Sequence, residues 1–227
     1  MAASLDTTAS GTNTAVASIT VSLTVAANSN RGLVVAVVIT ATGADRVVST
    51  VTYNAVSCSF IAAVGISTGD NARLEFWKLV APATGTHDVV VTFDSTVDRG
   101  VVGAFSVYDA DQTTFNRTTA SRTGGTTPET SSSIAPTSAV GDLVVDCIGF
   151  RYPGQGTVTV GGGQTQQWSE NAITGTGSTE PGSASSTTMS WSWATGGWTS
   201  SSQMAVAIMS AASGAKPASY YQMMRSA

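Results

Sequence analysis

The stretch Ser18-Ile-Thr-Val-Ser-Leu-Thr-Val25 alternates without interruption: Ile19, Val21, Leu23 and Val25 are apolar, and Ser18, Thr20, Ser22 and Thr24 carry hydroxyls. Side chains of a strand point to opposite faces with a period of two, so this segment reads as a strand with one buried and one wet face. The next apolar segment, Leu33-Val-Val-Ala-Val-Val-Ile39, contains no polar residue. A run of that length, dominated by β-branched side chains, reads as a strand covered on both faces.

Working outward, strand-like runs recur at short intervals over residues 47–53, 57–64, 73–80, 88–93 and 101–108. After a Thr/Gly/Ser-rich stretch at 118–133 they resume at 142–149, 157–160, 164–168, 187–193 and 203–209. Pro82 and Gly85 punctuate the turn before residue 88, as turn chemistry demands. On the strand at 73–80, Leu74 and Phe76 share one face, with Arg73 and Glu75 opposite. Helical periodicity is absent. The expected fold is all-β, a β-sandwich or jelly roll.

Composition agrees. In 227 residues, Val and Ile number 34 against 6 Leu, and β-branched side chains suit a pleated surface better than a helix. Charged residues are only 11 %, against roughly 25 % in an ordinary domain; 30 Ser and 34 Thr clothe the surface that charge leaves bare. Net charge is −4, and the two Lys and eight Arg stand singly. Nucleic-acid binding by counterion release needs a clustered basic surface, and an anionic membrane needs a basic run, so neither partner is expected. The longest apolar run, Leu33 to Ile39, falls far short of the roughly 20 residues of a spanning helix. Met1-Ala-Ala-Ser-Leu-Asp6 shows neither a basic n-region nor an apolar h-region, so no signal peptide is expected.

A faint internal repeat runs through the chain. Ser18-Ile19, Arg31-Gly-Leu-Val-Val35, Thr50-Val-Thr-Tyr53 and Gly103-Ala-Phe-Ser106 recur in order as Ser133-Ile134, Gly141-Asp-Leu-Val-Val145, Thr157-Val-Thr-Val160 and Met204-Ala-Val-Ala207. Pseudo-repeats over about 15–114 and 130–212 would supply matching strands to one pseudo-symmetric sandwich or form two small ones in tandem. A single β-sandwich domain over 1–214 is the expectation, since 118–133 lacks a long Pro- or charge-rich linker. Residues 215–227 form a C-terminal tail.

The block Arg31-Gly-Leu-Val-Val-Ala-Val-Val-Ile39, then Val48-Ser-Thr-Val-Thr-Tyr-Asn54, then Arg73-Leu-Glu-Phe-Trp-Lys-Leu-Val80 with its continuation to Phe93, closing on Gly103-Ala-Phe-Ser106 and Asp111-Gln-Thr-Thr114, resembles a β-sandwich domain of phage structural proteins. Within that group it is most similar to the jelly-roll decoration or cement proteins on tailed-phage capsids. The resemblance spans about residues 31–114 and rests on strand-and-turn patterns. It implies a non-enzymatic virion protein on the capsid exterior, made in the host cytoplasm, with the major capsid protein and copies of itself, as a trimer, for partners.

No residue stands out as catalytic, cofactor-binding or metal-ligating. His87 is the only histidine, so any triad must use it, yet it sits in a turn. Asp109 with Asp111, and Asp94 with Asp98, lack the ligand number and glycine of a calcium loop. Gly161-Gly-Gly163 precedes Gln-rich sequence rather than a helix and Lys, and reads as a hairpin tip. Cys58 and Cys147 lie within strand-like runs and read as buried thiols. Among the aromatics, Met189, Trp191 and Trp193 alternate with serines and read as core. Trp198, set among Gly and Ser, is the better candidate for an exposed ring. In the tail, Tyr220, Tyr221, Met223 and Met224 suit contact with a partner. The rival function is a glycan-binding or host-adhesion module using such exposed indoles.

Overall fold

The computed structural model describes residues 1–43, 45–67, 70–124, 129–152, 156–170, 175–194 and 200–212. Among them the chain is all-β and its sheets are antiparallel. The strands are β1 (Ser4–Val25), β2 (Gly32–Thr40), β3 (Val48–Tyr53), β4 (Val56–Ser57), β5 (Ser59–Ser67), β6 (Asp70–Val80) and β7 (Gly85–Tyr108) in the first half. The second half holds β8 (Ala120–Thr123), β9 (Ser131–Ile134), β10 (Thr137–Ser138), β11 (Leu143–Phe150), β12 (Val158–Val160), β13 (Thr165–Glu170), β14 (Gly175–Pro181), β15 (Ser185–Ser186), β16 (Met189–Trp193) and β17 (Ser201–Ile208).

The first half is one seven-stranded sheet in the order β4-β3-β7-β2-β6-β5, with β1 also on β7. Residues 88–93 and 101–108, expected as separate strands, are one 24-residue strand. Its early part pairs with β3 and the end of β1, and its later part with β2 and the start of β1. The ribbon bends between the two parts. Ser18 faces Thr92 but Val16 faces Val97, so four β7 residues oppose one β1 residue, and such a bulge turns a strand sharply. Gly100 accommodates the bend, since a Cβ there would lie 2.6 Å from Ile19 Cδ1. The sheet thereby folds back on itself, nearly closing into a barrel. Ile19, Val21, Leu23, Val25, Leu33, Val35, Val37, Ile39, Val89, Val91 and Phe93 form its filling. The alternation at 18–25 is therefore the core-facing pattern it implied.

The second half divides its strands among a five-stranded sheet, β13-β14-β11-β17-β8, a three-stranded one, β12-β16-β9, and the short pair β10-β15, the first two facing each other. Ile134, Val144, Met189, Ala205 and Ala207 pack together at one end of the space between them, and Ile148, Phe150, Val158, Trp191 and Trp193 at the other. A further apolar layer joins the halves. Val34, Ala36, Val38, Leu74, Phe76 and Phe105 meet Val145, Cys147, Trp168, Met204, Val206 and Ile208. This explains the unbroken apolar runs: β2 and β11 are buried at every position because both of their faces are covered. Glu75 is buried for the same reason, with Arg73 Nε at 2.6 Å and Trp77 Nε1 at 3.0 Å on its two carboxylate oxygens.

Strand order and register repeat between the halves. Gly32 lies between Val80 and Val107, and Leu143 between Pro181 and Ile208. Phe60 and Ala62 flank a bulge opposite Trp77 and Phe76; Gln166 and Trp168 flank one opposite Ser178 and Gly177. The first half carries its ladder through the bend on two continuous strands, β1 and β7; in the second half, residues 125–128 and 195–199, between β8 and β9 and between β16 and β17, lie outside the described residues. The Thr/Gly/Ser-rich stretch at 118–133 is thus not merely a connection, for it includes β8 and the start of β9. Gly161–Gly163 is also not a hairpin tip. It passes the chain from β12 in the smaller sheet to β13 in the larger one, closed by Gln164 N–H donating to Gly161 C=O.

Candidate functional site

Trp198, Tyr220, Tyr221, Met223 and Met224 lie outside the described residues. Trp191 and Trp193 are buried, so neither presents a ring to a sugar. Phe150 packs edge-on to Trp193, with centroids 5.1 Å apart. Cys58 and Cys147 are free and buried. They sit in different cores, and burial pushes the Cys58 thiol up to about 12 and the Cys147 thiol well above its ordinary value.

The acidic candidates serve local structure. Asp111 accepts from Thr113 and Thr114 N–H at 2.8 Å each. These bonds stabilise the carboxylate and hold its pKa down. Asp94 takes Val47 N–H at 3.3 Å and Asp98 takes the Thr42 hydroxyl at 2.5 Å. No grouping of three His, Cys, Asp or Glu able to hold a metal occurs among the described residues. His87 Nε2 lies 3.1 Å from Thr84 C=O, and the ring stands edge-on to Tyr53, so it is held within its turn.

Sequence reading passed over one buried carboxyl, Asp146. It lies inside the apolar run of β11 and is completely buried. Its neighbours across the sheet, Ser178 and Gln203, donate to it, Gln203 Nε2 at 2.8 Å. Trp191 Nε1 reaches it from the facing sheet at 2.7 Å. Gln164 extends the network, donating to Ser178 Oγ at 2.8 Å and accepting from Ser190 N–H at 2.6 Å. Every hydrogen-bond partner is neutral. Burial therefore outweighs the three hydrogen bonds and lifts the carboxyl to about 6. A serine beside a carboxylate brings a nucleophile to mind, but Ser178 is buried too and no histidine is near to relay its proton. The network bolts two sheets together. An acid embedded in Leu143-Val-Val-Asp-Cys-Ile148 was the available signal.

An open cleft lies where the two halves meet. Its volume is about 320 Å³, and Thr40, Ala41, Thr42, Gly43, Asp98, Arg99, Arg151 and Tyr152 line it. Thr40 and Arg99 are direct cross-strand partners, so their side chains share a face. Arg151 follows directly on β11, and its guanidinium stacks 4.7 Å from the centre of the Tyr152 ring. Read along the chain these arginines are scattered cations. The fold brings them together because each stands at the end of an apolar run that borders the layer between the halves. A second depression, of about 480 Å³, is lined by Thr52, Asn54, Thr86, His87 and Asp88 among others.

Compared with protein-family models, with curated proteins and with solved structures, the chain matches none.

Proposed function

We propose that the chain is a non-enzymatic structural protein that attaches to the outer surface of a tailed-phage capsid as a decoration or cement subunit. The observation that carries this reading is β5. Among the described residues its ladder partner is β6 alone, so its backbone has an edge with no strand on it; at the far end of that strand Gly65 C=O accepts from the Thr123 and Ser202 hydroxyls of the second half. The segment Ser59-Phe-Ile-Ala-Ala-Val-Gly65 on that edge has no charge and no proline, the usual guards of a sheet edge. Phe60 is 49 % exposed there and leans edge-on against Trp77. An uncharged edge of this kind, bulged between Phe60 and Ala62, suits strand addition to a neighbouring protein. The likeness of residues 31–114 to capsid decoration proteins supports the same reading, as does a polar, charge-poor surface whose product is contact area. The matched ladders of the two halves fit duplication of one β-sandwich unit. On this reading Trp198, Tyr220, Tyr221, Met223 and Met224 add contacts to the capsid protein or to other copies in a trimer.

Cosedimentation with the particle that copurifies with the chain tests the proposal. Binding that rests on apolar contact and backbone hydrogen bonds should persist from low to near-molar ionic strength, and Phe60→Asp should lower occupancy at least tenfold. Copurification with no particle, steep release by salt, or full occupancy of the Phe60→Asp variant would each overturn it.

A further inference from the structure

The cleft between the halves has the chemistry of a ligand site, and neither capsid attachment nor the buried network uses it. Thr40 and Arg99 extend the face that carries Val38 and Val101 into the joining layer. On β11, Cys147 belongs to that layer and Phe150 to the outer one, so Arg151 falls on the joining face as well. The apolar layer thus ends in two guanidinium side chains, one from each half. The Arg99 guanidinium makes no hydrogen bond or ion pair to a described residue. The Thr40 hydroxyl in the same wall is buried without a partner, although a buried polar group normally has one.

Three features define the ligand. Two guanidiniums, Arg99 and Arg151, line the cleft beside one carboxylate, Asp98, and the planar forked donors of arginine suit a carboxylate. Asp98 and Thr42, with the Thr42 hydroxyl donating to the Asp98 carboxylate at 2.5 Å, supply acceptors for sugar hydroxyl groups. Tyr152, 42 % exposed, offers an aromatic edge beside them, with Arg151 stacked on its face. The volume of about 320 Å³ stands at the small end of ligand pockets, about 300–1,000 Å³, which suits one or two sugar rings. We propose that this cleft binds an acidic saccharide, with Arg99 and Arg151 taking the sugar carboxylate, Asp98 and Thr42 its hydroxyls, and Tyr152 its ring. The proposal is independent of capsid attachment, so the full-length chain alone suffices to test it.

Calorimetric or ligand-observed NMR titration with glucuronate, glucose and inorganic phosphate, on the parent chain and on Arg99→Gln and Tyr152→Ala, is the experiment. Saturable glucuronate binding is expected, with each variant weakening it at least tenfold. Glucose should bind at least tenfold more weakly than glucuronate, and phosphate should bind weakly and without regard to Tyr152→Ala. Thermal melts verify that the variants fold; should Arg99→Gln fail to fold, Arg99→Lys keeps the charge, loses the fork and should still weaken glucuronate. Absence of saturable glucuronate binding, equal binding of glucose, phosphate as tight as glucuronate, or full affinity in the Arg99 variant would overturn the assignment.

Discussion

The Trp168 indole occupies the space over Gly103: a Cβ on that glycine would lie 2.0 Å from ring atom Cζ2. Gly103 belongs to β7 in the first half and Trp168 to β13 in the second, so the contact crosses the layer between the halves. On its own sheet the same ring covers Gly177, where a Cβ would lie 2.5 Å from Cε2. The two glycines make room for one large side chain between packed sheets. Gly103→Ala is therefore expected to destabilise the chain by about 1–3 kcal/mol through overpacking. In a Trp168→Leu background, where the ring is gone, the same change should cost much less. Urea unfolding of the four proteins measures the coupling, and equal effects of Gly103→Ala in both backgrounds would show that the ring is not what fills the space.

Phe76 lies in the same layer and is completely buried. Phe76→Ala should lower stability by about 3–5 kcal/mol, the range for emptying an aromatic core site. A loss under roughly 1 kcal/mol in the same urea experiment would mean that the halves do not pack across this face.

Much of this architecture is legible in the residues themselves. The alternation at 18–25 names the face of β1 that fills the barrel-like half, and the unbroken run at 33–39 marks a strand with two covered faces. The repeated segments keep their order along the two halves of the chain. Alignment on Leu33 and Leu143, however, puts one residue toward the filling of the first half and the other toward the joining layer; the ladders instead place Leu143 where Gly32 stands. A repeat of apolar residues carries no mark of which face each one takes when both faces are buried. The long bend of β7 was hidden for a different reason. Asp94-Ser-Thr-Val-Asp-Arg-Gly100 has the composition of a loop, yet its backbone stays extended because β1 supplies partners at Val16, Thr14 and Asn13. The cleft was illegible because Arg99 and Arg151 lie 52 positions apart and become neighbours only through sheet packing.

The connection of β3 to β4 offers a stability gain. Tyr53 pairs with Val56 across Asn54 and Ala55, whose φ values are +48° and +61°. This is the backbone of a type I′ turn, in which both central residues take left-handed conformations and Asn-Gly is the favoured pair. Alanine at the second position carries steric strain there that glycine lacks. Ala55→Gly is expected to raise stability by about 0.5–1 kcal/mol, read as a higher urea midpoint at unchanged slope. A lower midpoint would show that the turn takes another form in solution.

Asp146 makes stability depend on pH in a direction opposite to that of most paired carboxylates. Burial raises its pKa in the folded chain to about 6, against about 3.9 when unfolded. Between those values the folded state holds more protons than the unfolded state, so unfolding free energy falls as pH rises. The penalty is absent below the unfolded value and complete above the folded one. From pH 5 to pH 7.5 this group alone should remove about 1–2 kcal/mol. Glu180 is also raised by burial and adds a slope of the same sign, so the informative quantity is a difference between proteins. Asp146→Asn abolishes the titration while keeping an oxygen for the Trp191 and Gln203 donors; its new amide N–H₂ can donate to Ser178 Oγ once that hydroxyl turns. The variant should be the less stable protein at pH 5, and its disadvantage should shrink by about 1–2 kcal/mol on moving to pH 7.5. Urea unfolding of both proteins across that interval decides the matter, and a disadvantage that stays constant would place the Asp146 titration outside it.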